Sequence, residues 1–356
     1  MSEDEHAKAR RCRPLRLERD EVLWFVTCQT NEERFWLHPL VSCGLTPPNR
    51  RARRPLEAMQ RQAARRIDEM VKDANRWKRP LSPTLDAQSL TRIAKGLVGS
   101  AFARAQEKYD VEVYALVVMS SHMHVVLRTR KKNLATFMGY VNARITKAVN
   151  RITGRRGGMW AGRYHAQPIL DDAAAETLTA YTLRNPVAAG LVERHDDWPG
   201  LNLAYGVCDT DELDFEWLDC SAWHRKNRPA DLAPFFRNAM LRLSPLPHCT
   251  QFEREAYGRM LAEWLVRVEQ EEERETSVEP LGVEAVVRAD FTDRSENPSF
   301  KRRPYAFGSA EAKAKERAMM HLLSQAHAQA SQLWRSGDHS VTFPPHTYRP
   351  PIMHAA

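Results

Sequence analysis

Two histidines separated by one residue, His122 and His124, are the first residues whose type and spacing suggest chemistry. They open an apolar segment, residues 122–127, which follows another apolar segment, residues 111–119, after a short polar turn. The enrichment in β-branched residues predicts two buried β-strands joined by that turn. Because successive side chains of a strand point to opposite faces, both imidazoles would share one face. The pair can supply two ligands of a divalent-metal site, and the alternative is two polar residues on a solvated face.

A tyrosine and an asparagine further along the chain could complete such a site. Tyr181 lies in a predicted helix at residues 173–184, and Asn185 follows four residues later, so both can project from about the same face. A phenol beside a metal-polarised phosphate can attack phosphorus and form a phosphotyrosine, whereas the ordinary role of such a tyrosine is packing. Asn185 could supply an amide-oxygen ligand for Mg²⁺ or Mn²⁺, or it could cap a second helix that starts at Pro186.

The elements that would position these residues alternate between strands and helices. In chain order, they are a strand at 21–28, a helix at 86–108, the strands at 111–119 and 122–127, a helix at 133–152, a strand within 160–170 and the helix at 173–184. This order predicts a ferredoxin-like α+β fold, with helices on one face of an antiparallel sheet. We expect this core domain to span residues 21–200, after a flexible arm at 1–20 and with a basic insertion at about 43–86.

Residues 201–356 are predicted to form a mainly helical C-terminal extension. Apolar residues at helical spacing predict one helix over about residues 252–268 and another that is capped by Ser309 and runs to about Trp334. Residues 276–308 are expected to be irregular. Packing in the core is the expected role of both apolar stripes, and a groove for a partner or for DNA is the alternative.

The distribution of charge indicates a polyanionic partner. The chain carries 53 Lys and Arg residues against 45 Asp and Glu residues, a net charge of +8. The basic residues concentrate in two regions, residues 50–79 and 128–163, and nucleic acid is the usual partner of such a surface. The alternative is an ordinary solvated face. The candidate DNA contacts are Arg144, Lys147, Arg151, Arg155, Arg156 and Arg163.

The composition also favours a cytoplasmic protein that is not bound to a membrane. No apolar run reaches the roughly 18 residues that a membrane-spanning helix needs. The N-terminus is acidic and polar, unlike a secretory signal. The six cysteines are scattered, and disulfides are not expected in the cytoplasm.

Three segments of the sequence together resemble the single-tyrosine HUH transposases of the IS200-like transposase superfamily. Residues 118–127 are similar to the family's His-hydrophobic-His strand. Residues 159–165, Met-Trp-Ala-Gly-Arg-Tyr-His, resemble the Leu-Trp-x-x-Arg-Tyr-His segment of the REP-associated tyrosine transposase branch. Residues 181–192 resemble that branch's Tyr-Ile-x-x-Asn-Pro-Val-x-Ala-Gly-Leu-Val. Two features depart from the pattern: Ser120-Ser121 replaces the usual Pro-Asn or Pro-Asp, and the insertion is long. The C-terminal extension is similar to that of longer bacterial members.

The resemblance implies that Tyr181 is the nucleophile and that His122, His124 and Asn185 bind a catalytic Mg²⁺ or Mn²⁺. The implied substrate is single-stranded DNA with a REP-like hairpin. The implied reaction is cleavage to a 5′-phosphotyrosine and a free 3′-OH, followed by rejoining. REP-associated relatives suggest a monomer acting in cis, and insertion-sequence relatives suggest a homodimer. Two alternatives are a domesticated, non-catalytic sequence-specific DNA-binding protein and a metal-dependent hydrolase that uses water.

Overall fold

The computed structural model describes most of the region in which the strands and helices were predicted. The described residues are 19–38, 87–153, 155–208, 210–229, 231–272, 279–290, 293–294 and 305–349. The predicted arm, except for its last two residues, and the whole of the predicted basic insertion at 43–86 lie outside these ranges.

A five-stranded antiparallel sheet forms the centre of the fold. In spatial order, its strands are β4 (His165–Ile169), β1 (Val22–Gln29), β3 (His122–Thr129), β2 (Val111–Val118) and β5 (Asn202–Ala204). The core helices are α1 (Ala87–Lys108), α2 (Leu134–Thr153) and α3 (Asp172–Ala188). The order from β1 to α3 is the predicted order, and the predicted ferredoxin-like α+β fold is confirmed.

Alternation along the strands gives the sheet two covered faces. On one face, Trp24 of β1 and Val125 of β3 pack with Phe102 of α1 and Phe137 of α2 in one buried cluster. On the other face, neighbouring strand residues such as Val126 pack with α3. The prediction placed the helices on one face. The second face is also covered because its residues near the centre of the sheet are apolar as well, so water is excluded from both sides.

The C-terminal extension packs against both sides of this core. Its elements are β6 (Glu212–Leu218), α4 (Cys220–Arg225), β7 (Phe236–Arg242), α5 (Arg254–Glu272), α6 (Val283–Arg288) and α7 (Ala310–Arg335). The hairpin of β6 and β7 packs on α1, and α5 packs on α3. The predicted helix at 252–268 and the Ser309 cap are confirmed, since the backbone N–H of Ala312 donates to Ser309 Oγ. The prediction of an irregular segment at 276–308 is wrong where α6 forms.

The sheet does not end at the predicted boundary of the core domain. β5 begins just after residue 200 and pairs with β2, so the extension supplies an edge strand of the core sheet. The division at residue 200 stays a prediction. None of the helices in the described ranges is both long and apolar enough to cross a membrane.

Candidate active site

The two histidines lie on β3, the middle strand of the sheet, and share the face that α3 covers. Their ring centroids are 5.0 Å apart. His124 is buried, with 8% of its surface exposed, and His122 is half-buried. A strand in the middle of a sheet is fixed by hydrogen bonds on both sides, so the backbone holds the relative position of the two rings.

A hydroxyl group lies beside the Nδ1 atom of each histidine. Thr27 is directly opposite His124 in the pairing of β1 with β3, and its Oγ1 is 3.0 Å from His124 Nδ1. Ser121, in the turn before β3, has its Oγ 3.2 Å from His122 Nδ1. When Nδ1–H donates to a hydroxyl, Nε2 becomes the nitrogen that can ligate a metal. Sequence reasoning missed Thr27 because strand pairing, not sequence proximity, brings it to His124.

Tyr181 projects from α3 towards this pair. Its ring centroid is 6.0 Å from that of His124 and 6.1 Å from that of Phe25. Phe25 stacks on His124, with 5.1 Å between the centroids and 14° between the planes. The stacking restricts rotation of the imidazole, and the edge contacts with Tyr181 bring the phenol-bearing helix against the same aromatic group.

Asn185 lies one turn further along α3 and reaches the other histidine. Its Oδ1 is 3.3 Å from His122 Nε2, and 7% of its surface is exposed. The alternative prediction, that Asn185 caps a helix starting at Pro186, is wrong, because α3 continues through Pro186 to Ala188. A proline in the last turn removes one intrahelical hydrogen bond, and the backbone N–H of Ala189 still donates to the Asn185 carbonyl at 3.0 Å.

The side chains at this site form a donor set that suits a small divalent cation. Two imidazole nitrogens and one amide oxygen converge from β3 and α3, and Mg²⁺ and Mn²⁺ accept such nitrogen and oxygen ligands. Within the described ranges, no group of three or more His, Cys, Asp or Glu side chains is placed to hold a metal ion.

The six basic residues predicted to contact DNA are not gathered at this site. Arg144, Lys147 and Arg151 belong to α2, which packs on the opposite face of the sheet. Arg155 stacks over Trp36, with its guanidinium carbon 4.4 Å from the ring centroid. Burial lowers the pKa of Arg155, and the nearby Arg34 lowers it further. The two remaining residues, Arg156 and Arg163, are exposed between α2 and β4.

A third histidine lies in line with the site. Thr27 pairs with His124 on one side and with His165 on the other. Residues that pair directly in antiparallel strands share a face, so His165 is on the face that carries the histidine pair. It belongs to the segment 159–165 that resembles the REP-associated branch, and no role was predicted for it from the sequence.

Comparisons with known proteins bear on the segment that carries these residues. None of the curated proteins compared with the chain matches it. One solved structure, described as "Structure of the REP associates tyrosine transposase bound to a REP hairpin", is 16% identical, with a TM-score of 0.31. The match covers 53% of this chain and 81% of that chain. Residues 86–185 match the model of the family described as "Transposase IS200 like". That range includes both histidines, Tyr181 and Asn185, so the segment that carries the candidate site matches the IS200-like transposase family that its motifs resemble.

Proposed function

We propose that the protein is a metal-dependent endonuclease and transposase that cuts and rejoins single-stranded DNA at a hairpin through a covalent phosphotyrosine. One observation carries the proposal: a tyrosine and an amide from α3 meet two histidines of β3 on one face of the sheet. The ring centroids of Tyr181 and His124 are 6.0 Å apart, and Asn185 Oδ1 is 3.3 Å from His122 Nε2. The match of residues 86–185 to the family described as "Transposase IS200 like" supports the same reaction class.

In this proposal His122, His124 and Asn185 are the ligands of Mg²⁺ or Mn²⁺. The bound cation would polarise the scissile phosphate and stabilise the negative charge that develops on it. Thr27 and Ser121 would accept hydrogen bonds from the Nδ1–H groups and so fix the histidine tautomers that ligate through Nε2.

Tyr181 would be the nucleophile. A phenol has an ordinary pKa near 10, so it is protonated at neutral pH and must lose its proton as it attacks. The bond from Tyr181 Oη to phosphorus forms while the bond from phosphorus to the 3′ oxygen breaks, and the released 3′ oxygen takes up a proton. In rejoining, a 3′-OH attacks the phosphotyrosine and the phenol is released. The covalent link conserves the phosphodiester energy, so ATP is not required.

The proposed substrate is single-stranded DNA that carries a REP-like hairpin, and its support is the resemblance of residues 159–165 and 181–192 to the REP-associated branch. Arg156 and Arg163 lie in the segment before β4. In that segment Trp160 pairs with Thr30, next to the end of β1 that pairs with His122. We propose that both arginines contact phosphates close to the cut. Arg144, Lys147, Arg151 and Arg155 would contact phosphates further away.

Other parts of the proposal follow from the sequence. They are a flexible arm at 1–20, a transposase domain at 21–200 with an insertion at 43–86, an extension at 201–356, a cytoplasmic location and a monomeric or homodimeric protein.

The test of the proposal is a covalent adduct assay. The full chain is incubated with Mn²⁺ and single-stranded oligonucleotides that each fold into one labelled hairpin, and the products are separated on a denaturing protein gel. We expect labelled protein with the wild type and none with Tyr181→Phe. Replacing both histidines by alanine should abolish the adduct with a smaller effect on DNA binding, because phosphate contacts elsewhere supply much of the affinity. Binding without any adduct would indicate the non-catalytic alternative, and cut DNA without an adduct would indicate a hydrolase.

A further inference from the structure

The C-terminal extension makes extensive apolar contact with the helix that carries Tyr181. Ala175 and Leu178 of α3 belong to a buried cluster that also includes Phe25 and Val126 of the sheet. The extension adds further residues to that cluster, among them Leu246, Cys249, Tyr257, Leu261, Trp264 and Val268. The helix therefore packs against the sheet and against α5. Apolar contacts of this kind are favourable but not directional, so ion pairs and hydrogen bonds can add to what fixes the position of α3 along its axis.

Charged side chains of the extension contact α3 on both sides of Tyr181. Arg267 Nη1 is 3.4 Å from the carboxylate of Glu176, which precedes Tyr181. Glu269 Oε1 is 3.9 Å from the guanidinium of Arg184, which follows Tyr181 and has only 11% of its side chain exposed. His248 adds a contact of 3.2 Å to Glu176. Paired charges before and after the tyrosine oppose both sliding and rotation of the helix.

The beginning of α3 is also attached to the extension. Asp171 caps α3, and its carboxylate accepts hydrogen bonds from the backbone N–H of Ala174 at 3.0 Å and from that of Ser309 at 2.6 Å. Just before Ser309, the ring of Phe307 lies 5.5 Å from that of Phe25, the residue that stacks on His124. The extension thus contacts α3 at its start, along its length and near Tyr181.

From these contacts we propose that the extension is a positioning element for the nucleophile, in which Arg267, Glu269 and His248 hold Tyr181 at the histidine pair of its own chain. The inference rests on the proposed function, because the position of Tyr181 matters to the reaction only if it is the nucleophile. A displacement of about 1 Å between reacting groups can lower a rate by about 100-fold, so a helix that slides loses rate without losing substrate. Each chain would then contain one complete site.

The test uses a pair of double variants of α5 that leave the net charge of the chain unchanged. Arg267→Ala with Glu269→Ala removes the two ion pairs that α5 makes with α3 and leaves the contact between His248 and Glu176 in place. Arg259→Ala with Glu263→Ala is the matched control, because these residues are exposed on the same helix and form no ion pair with any residue in the described ranges. A conservative variant, Arg267→Lys with Glu269→Asp, keeps both charges.

Three quantities are measured on the full-length variants. They are hydrogen exchange of the α3 amides without DNA, the Kd for a fluorescein-labelled single-stranded hairpin oligonucleotide, and the single-turnover rate of adduct formation. For the test variant we expect faster exchange in α3, an unchanged Kd and a rate at least tenfold lower. The control and the conservative variants should match the wild type. Rescue by the conservative variant together with an unchanged Kd distinguishes positioning from general destabilisation.

Several results would overturn this inference. Unchanged hydrogen exchange in α3 would show that the ion pairs do not hold the helix. Faster exchange with an unchanged rate of adduct formation would show that holding the helix does not affect the reaction. A rise in Kd that accounts for the loss of rate would make the extension a DNA contact instead. If the wild type forms no adduct, the proposed function fails, and the exchange of α3 alone decides whether the extension holds the helix.

A mixing experiment tests the statement that each chain holds its own site. Chains with Tyr181→Phe are mixed with chains that lack both histidines, and the adduct assay is repeated. No adduct is expected from the mixture, because neither chain has both halves of the site. An adduct at a rate near that of the wild type would show that α3 serves a partner chain and would overturn the inference.

Discussion

The hydroxyl of Thr27 is predicted to control metal affinity through His124. Thr27→Val keeps the branched shape of the side chain and removes only the oxygen that lies 3.0 Å from His124 Nδ1. Valine also favours a β-strand, so the pairing of β1 with β3 should persist. The substitution therefore separates the orientation of the histidine from the stability of the sheet.

The size of the effect follows from burial and from the role of such hydrogen bonds. Thr27 and His124 are 5% and 8% exposed, so water does not readily replace the lost hydroxyl. Removing the partner that orients a metal-ligating histidine typically lowers metal affinity by about 10- to 100-fold. At about 1.4 kcal/mol for each factor of ten, this is a loss of about 1.4 to 2.8 kcal/mol in metal binding.

The assay is the rate of adduct formation as a function of Mn²⁺ concentration. We expect the half-saturating Mn²⁺ concentration to rise by that factor, while the rate at saturating Mn²⁺ changes less. Thr129→Val is the matched control, because Thr129 is fully buried in β3 and its hydroxyl has no hydrogen-bond partner among the described residues. An unchanged Mn²⁺ dependence in Thr27→Val, or an equal change in both variants, would show that the Thr27 hydroxyl does not control metal affinity through His124.

Three further predictions concern the second histidine and the attachment of the extension. Ser121→Ala should also raise the Mn²⁺ requirement, but by less than Thr27→Val because the turn is partly open to water; an equal or larger rise would contradict this. Gly96→Ala would bring a Cβ to 1.7 Å from the backbone oxygen of Glu216 in β6, and it should cost about 1–3 kcal/mol in urea unfolding. The control Gly139→Ala, with nothing within 4 Å, should stabilise the chain by about 0.8–1.0 kcal/mol; equal effects of the two would show that the hairpin does not pack on α1. Burial would raise the pKa of Asp171, but the N–H groups of Ser309 and Ala174 hold it below its ordinary value of 3.8. A carboxyl group whose pKa is lower in the folded chain than in the unfolded chain stabilises the fold at pH values above its unfolded-state pKa. The destabilisation by Asp171→Asn at neutral pH should therefore shrink as the pH falls below 3.8. A loss of unfolding free energy that stays constant with pH would exclude this charge effect.

The sequence predicted only those parts of the candidate site that local residue spacing determines. The alternation of a strand predicted that His122 and His124 share a face, and helical spacing predicted that Tyr181 and Asn185 project together. Sequence spacing does not give the register between distant strands, which brings Thr27 opposite His124. The capping role of Asn185 was wrong because a single proline in a last turn is tolerated when the helix is packed on both sides.

The fold of the core was predicted more completely than that of the extension. Strong apolar runs and helical stripes identified the strands β1 to β4 and the helices α1 to α3. The hairpin of β6 and β7 was not predicted, because Glu212, Asp214 and Glu216 make the first of its strands acidic and weaken its apolar pattern. In the structure the intervening residues, such as Phe215, contact α1, where Gly96 and Gly99 allow close approach. This packing depends on contacts between distant residues, which periodicity within one segment does not reveal.

The most direct test of Tyr181 as the nucleophile is to identify the amino acid that becomes attached to DNA. The protein–DNA adduct formed with Mn²⁺ is digested with nuclease and protease, and the peptide that carries the residual nucleotide is sequenced by mass spectrometry. We expect one modified residue, Tyr181, linked through a 5′-phosphate. A nucleotide attached to any other residue, or efficient DNA cleavage with no modified peptide, would contradict it.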